Sequence, residues 1–264
     1  MEPTEGARTF LTSGDAYDHF MGRYSRQLAT AFVDAVGITA DHCVLDVGCG
    51  PGALTGELVA RFGSSSVCAF DPSPPFVETC IARNPGVDVR LGRAEAIPFD
   101  DASFDAALPQ LVMHFVSEPA AAMAEMIRVV RPGGTIATCV WDQTVGMAML
   151  RLFHQAAVAV DPAAPGETGH LRFGNEGELL ELFEQAGLVD VTESTLEVAS
   201  SYAGFDELWS GFLAVIGPAG AYLVSLPDDH RAALHAELFQ RVGSPAGEFT
   251  LEATARYATG RSAG

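Results

Sequence analysis

Apolar positions in this chain follow two alternating rhythms, short continuous runs and three-to-four-residue spacings, which succeed one another from residue 43 to residue 141. Cys43 to Val47 is a brief apolar run around Asp46, the pattern of a strand covered on both faces. Leu54, Leu58, Val59 and Phe62 then recur at helical spacing, which predicts a helix over 53–62. The same alternation continues with a strand over 66–70, a helix over 74–83, and a strand carrying Val87, Val89 and Leu91. A fourth strand over 104–108 precedes a helix over 119–130, which Arg131-Pro132-Gly133-Gly134 is expected to end before a fifth strand over 135–141. Strands alternating with helices across short loops predict an α/β fold, a Rossmann-like doubly wound parallel sheet.

Outside this core the rhythm changes. Tyr17, Phe20, Met21, Tyr24, Leu28, Ala31 and Phe32 have helical spacing, so residues 1–40 are read as a helical arm. Its apolar face either packs on the sheet or presents Tyr17, Arg23 and Tyr24 as a lid over the loop after the first strand. Downstream, helices over 145–160, 175–186, 205–216 and 228–242 and strands over 188–199 and 249–258 are expected. The blocks 145–186 and 202–245 are read as helical cap insertions on a core of 43–141, all within one domain over 1–264.

The loop after the first strand carries the candidate chemistry. Gly48, Gly50 and Gly52 remove three Cβ atoms from a tight turn, letting a ligand approach the backbone at a helix N-terminus. Asp71 ends the second strand nineteen residues after Gly52, the spacing at which a βαβ unit offers a carboxylate to a ribose. Its alternative role is to cap the helix that follows Asp71-Pro72-Ser73. Gln110 and His114 follow the fourth strand and so belong near the same crevice.

Charge narrows the partners. Against 34 acidic residues the chain has 15 basic ones, a net charge of -19, and every basic residue is arginine. Such a surface repels nucleic acid and anionic membranes, and without lysine neither a Schiff base nor a P-loop is available. The five cysteines lack metal-site spacing and read as buried thiols, so no metal is expected. The acidic N-terminus lacks a signal pattern, and no apolar run reaches the ~18 residues of a membrane span. A cytoplasmic protein is therefore expected.

The stretch Val44-Leu-Asp-Val-Gly-Cys-Gly-Pro-Gly52, with Asp71, Ala94-Glu95-Ala96-Ile97-Pro98-Phe99, Ser103-Phe104-Asp105 and Arg131-Pro132-Gly133-Gly134, resembles the class I S-adenosylmethionine-dependent methyltransferases. The small-molecule group that includes the ubiquinone and menaquinone enzymes is the most similar. The resemblance implies seven strands with the last antiparallel, and S-adenosylmethionine as cofactor. It implies that Asp46, Gly48, Cys49, Gly50 and Gly52 hold the methionine part and that Asp71, beside Pro72, binds the ribose. Ala94 and Glu95 stand at adenine positions and Gln110 beneath the sulfonium, with Arg93 replacing a frequent acid. Gly48-x-Gly50-x-x-Ala53 also satisfies a dinucleotide fingerprint, which makes an NAD-dependent oxidoreductase the rival. Asp46, two residues before the first glycine, suits a cofactor amino group better than a pyrophosphate.

The resemblance therefore implies in-line methyl transfer to O, N or C of a small apolar or aromatic metabolite. A cofactor-binding protein without methyl transfer is the alternative. His114 is either a general base or a packed core histidine. Phe20, Trp141, Trp209 and Phe212 are candidates for the acceptor pocket or for the core.

Overall fold

The structure is a computed structural model that describes residues 21–39, 41–164, 172–214 and 217–263. Its strands are β1 (Val44–Val47), β2 (Val67–Asp71), β3 (Asp88–Leu91), β4 (Phe104–Leu108), β5 (Val130–Trp141), β6 (Val189–Tyr202) and β7 (Phe249–Arg261). They form one seven-stranded sheet in the order β3-β2-β1-β4-β5-β7-β6. Neighbours from β3 to β5 are parallel, whereas β7 runs antiparallel to both β5 and β6.

Side-chain alternation along the inner strands fills two cores. Val44, Ala106, Leu108, Ala137 and Cys139 face α1 (Arg23–Val36) and α2 (Ala53–Phe62). The same core includes α5 (Ala148–Val160), α7 (Phe205–Leu213), α8 (Gly217–Ser225) and α9 (Asp228–Arg241). Leu45, Val47, Ala107, Ile136 and Val140 face the opposite way, onto α4 (Pro119–Val129) and α6 (Glu178–Gln185). Between β2 and β3 lies α3 (Pro74–Arg83). The block 145–186 is thus divided between both layers, α5 on one and α6 on the other.

Three expectations about boundaries change. Arg131 to Gly134 do not separate α4 from β5; they form an excursion within β5, because Val130 pairs with Phe104 and Thr135 with Ala106. Gly133 takes a left-handed φ of 78°, and a Cβ on Gly134 would lie 2.8 Å from the Asp105 carbonyl oxygen. Gly134→Ala should therefore push β4 and β5 apart and lower stability by about 1–3 kcal/mol, measurable by denaturant unfolding. The helix α8 arises between the helices expected over 205–216 and 228–242, and β6 and β7 run on to Tyr202 and Arg261. Among the described residues, no single helix is long and apolar enough to cross a membrane.

The chain leaves β1 on one side towards β2 and β3, then returns to place β4 on the other. This reversal opens a crevice beyond the carboxyl ends of β1 and β4, where open α/β sheets bind ligands.

Candidate functional site

The floor of this crevice is the glycine loop. Gly48, Gly50 and Gly52 all take left-handed φ values, of 72°, 53° and 96°. The backbone N–H groups of Gly48 and Cys49 both donate to the Phe70 carbonyl, at 2.9 and 3.0 Å. Gly50 N–H donates to Asp71 Oδ2 at 2.9 Å, so the loop is moulded onto the end of β2. No side chain fits at Gly52, where a Cβ would meet Asn84 Nδ2 at 2.6 Å and Cys80 Sγ at 3.1 Å.

Two carboxylates flank the loop at the ends of adjacent parallel strands. Asp46 shares the face of Val44 and is 1% exposed, accepting the Thr55 hydroxyl of α2 at 2.6 Å. Burial pushes its pKa up to about 8, and the neighbouring Cys80 and Asp71 push in the same direction. Asp71 is buried too, and desolvation raises it to about 6 against the opposing pull of the Ser73 and Gly50 N–H groups. Its Oδ1 accepts from Ser73 N–H at 2.8 Å. Each of its oxygens keeps acceptor capacity for a further donor. Two raised carboxylates facing one crevice suit a ligand that brings an ammonium and hydroxyl groups.

A cavity of about 140 Å³ is lined by Asp46, the Gly48–Pro51 loop, Asp71, Pro72 and Gln110, with Leu111, Val112, Phe76 and Phe115 as apolar walls. Gln110 Nε2 donates to the Ser25 carbonyl at 2.9 Å. Its buried Oε1 has no partner among the described residues, leaving an acceptor at the crevice. Leu111 holds a left-handed φ of 60°, a strained conformation fixed as its N–H donates to the Cys139 carbonyl at 2.8 Å. Ser25, Phe76, Leu111 and Phe115 were not singled out from the sequence, since leucine gives no hint of a left-handed backbone and the others read as packing residues.

Several sequence candidates lie elsewhere. Tyr17 and Phe20 fall outside the described residues. Arg23 pairs with Glu207 and lies 4.3 Å over the Tyr202 ring. Tyr24 is fully buried, its hydroxyl bonded to Tyr202 and to the Leu251 carbonyl. Neither lines the crevice, so the expected lid contacts of Arg23 and Tyr24 are replaced by packing of α1 on β6 and β7. Ala94 and Glu95 stand beside the site, since Gly92 N–H donates to the Asp71 carbonyl, but Glu95 lies 3.6 Å from the Arg93 guanidinium and neither residue lines the cavity. Phe212 stacks on Phe153 and Trp209 on Phe205, while Trp141 sets its edge against Tyr24, all within the core.

The general-base role of His114 is also corrected. Its Nδ1 bonds to the Arg172 carbonyl at 2.7 Å, and its Nε2 accepts the Trp141 N–H at 2.9 Å. Accepting at Nε2 puts the proton on Nδ1, so no lone pair faces a substrate. Burial lowers its pKa to about 4. His114 is a neutral clamp between β5 and the segment at 172. His114→Ala should cost about 1–3 kcal/mol for each backbone group left unpaired, while turnover by the folded fraction keeps its pH profile.

Residues 45–138 match a protein family described as a methyltransferase domain. An uncharacterized methyltransferase of Mycobacterium tuberculosis is 44% identical over 99 residues, covering 38% of this chain and 39% of that protein. A demethylmenaquinone methyltransferase of Renibacterium salmoninarum is 39% identical over 112 residues, 42% of this chain and 46% of that one. The chain thus spans less than half the length of either relative. An N-methyltransferase of Haemonchus contortus, solved with S-adenosylhomocysteine, shares the fold at a TM-score of 0.58 and 14% identity, over 95% of this chain and 57% of its own. The strand order, the glycine loop and the matched segment agree: residues 45–138 are similar to a methyltransferase domain, and the fold is the one shared with the solved methyltransferase.

Proposed function

We propose that this protein transfers the methyl group of S-adenosylmethionine to a small, apolar or aromatic metabolite. The observation that carries this reading is the pair of buried carboxylates, Asp46 and Asp71, flanking a left-handed glycine loop at one crevice. Bound S-adenosylmethionine supplies an electrophilic methyl on a sulfonium whose positive charge disappears as the methyl leaves. Asp46 offers the ammonium a carboxylate whose hydrogen-bond donors, the hydroxyl and backbone N–H of Thr55, are both neutral. Asp71 accepts the ribose hydroxyls with the lone pairs left free by Gly50 and Ser73. Leu111, Val112 and Phe115 exclude water and favour an apolar acceptor.

The described lining contains no histidine, tyrosine or basic residue. Catalysis then rests on holding acceptor and methyl in line, which contributes much of the rate in such displacements. This favours an acceptor whose nucleophile forms readily, such as an amine, an acidic hydroxyl or an activated carbon.

Calorimetry with S-adenosylmethionine, S-adenosylhomocysteine and NAD, followed by an acceptor screen reading S-adenosylhomocysteine formation, tests the proposal. Binding of both sulfur cofactors with turnover of an apolar acceptor is expected. Preference for NAD, or tight binding without product across acceptor classes, would overturn it.

A further inference from the structure

Cys49 lies in the glycine loop and lines the crevice, while Cys80 lies in α3 directly beneath that loop. Both are free, buried thiols, packed together with Ala69 and hydrogen-bonded to each other. The Cys80 sulfur also lies 3.6 Å from the Thr55 hydroxyl oxygen and accepts from the Asn84 amide at 3.7 Å, and the amide helps to hold a partial negative charge there. We propose that Cys49 and Cys80 form an oxidative modification site: a hydroperoxide entering the cofactor crevice joins them as a disulfide that closes the site to S-adenosylmethionine. The disulfide stands on the thiol geometry alone, whereas its effect on binding rests on the cofactor reading above.

The pair loses its first proton readily. The hydrogen bond from Cys49 holds Cys80 down at about 7, and the same contact pushes Cys49 well up. Passing the shared proton across to Cys80 puts the thiolate on Cys49, the member of the pair that lines the crevice. That thiolate attacks one peroxide oxygen, the O–O bond breaks, and Cys49 becomes a sulfenic acid while the departing hydroxide or alkoxide takes up a proton. Cys80 then attacks the Cys49 sulfur, expelling hydroxide, which leaves as water with the remaining thiol proton. Two electrons pass from the sulfurs to the peroxide. With hydrogen peroxide the products are one disulfide and two waters.

The bond also acts on the loop. A disulfide holds its sulfurs about 2.05 Å apart, well inside hydrogen-bonding separation. Closing it draws Cys49 towards α3, and with it Gly48 and Gly50, whose N–H groups fix the loop against Phe70 and Asp71. A cofactor held in the crevice that Cys49 lines would protect the pair.

The test treats the reduced full chain with hydrogen peroxide, with and without S-adenosylhomocysteine. Fragment-ion mapping must separate Cys49 from Cys43 and Cys80 from Cys68, which share arginine-bounded peptides. A Cys49–Cys80 disulfide is expected, with S-adenosylhomocysteine slowing its formation, affinity falling about tenfold or more, and dithiothreitol restoring it. Cys80→Ser should bind as the reduced wild type does and keep binding after peroxide. Cys43–Cys68 pairing, or sulfinic acid at Cys49 with no crosslink, would overturn the site. A mapped disulfide with unchanged affinity would overturn the closure. Should the reduced wild type not bind S-adenosylhomocysteine, the cofactor reading fails, and the disulfide is decided by mass alone.

Discussion

Asp46→Asn is expected to make the unliganded protein more stable in alkaline solution while weakening cofactor binding about a hundredfold or more. An unfolded aspartate titrates near 3.9, whereas buried Asp46 keeps its proton to about 8. Between those values the folded state holds more protons than the unfolded one, so stability falls as pH rises from about 4 to about 8. The fall is on the order of a few kcal/mol, and asparagine, nearly the same shape but without the charge, removes it. Thermal melts at pH 5 and pH 9 should therefore lie closer together for the variant, with Asp71 left as a source of the difference, while the wild type loses several degrees at the higher pH. Binding should move the other way. Losing the carboxylate that faces an ammonium in a dry site costs about two to three orders of magnitude in affinity. A variant that binds S-adenosylmethionine as well as wild type does would remove Asp46 from the ammonium's contacts.

Asp71→Ala should be as damaging for a different reason. The carboxylate both shapes the loop, through Gly50 and Ser73, and offers its remaining lone pairs to the ribose. Each hydrogen bond to a charged group is worth about 1.5–3 kcal/mol, so a drop of at least about a hundredfold in affinity for both sulfur cofactors is expected. The pH dependence of wild-type binding should report both acids. Binding needs both carboxylates ionised, so the logarithm of affinity should rise with a slope near one between pH 6 and 8, and near two below pH 6. A flat profile across that range would contradict both assignments. Calorimetry in buffers of different ionisation enthalpy checks the same point, through protons released at pH 7.

The sequence made the core legible where local signals agreed. Helices at Ala53–Phe62 and Pro74–Arg83 and the strand at Phe104–Leu108 follow from apolar spacing punctuated by glycine and proline. The glycine loop and the two acids were legible because each lies at a strand end, and position along the chain then fixes position in the crevice. What could not be read depended on distant partners. The strand-like Arg131-Pro132-Gly133-Gly134 excursion needs β4 beside it, and α8 forms against α5 and α7 despite its glycines. His114 stayed open between a base and a core residue because its neighbours in sequence gave no sign of Arg172 and Trp141, whose backbone groups occupy both of its nitrogens. Tyr24 stayed open between packing and a lid for the same reason, since Tyr202 and Leu251 lie far away in the chain.

The contact between Tyr24 and Leu251 also sets an order of events during synthesis. The helix α1 packs against β6, α2 and β7, and its Ser25 carbonyl receives Gln110 at the crevice. Its buried hydroxyl partners lie 178 and 227 residues downstream. On a ribosome, β1 to β5 emerge complete while β7, which lies between β5 and β6, is still missing, so this side of the sheet stays an open edge. The wall that α1 gives the crevice therefore reaches its final seat only after the last strand has left the exit tunnel, and a stalled nascent chain carries the glycine loop without a finished binding site.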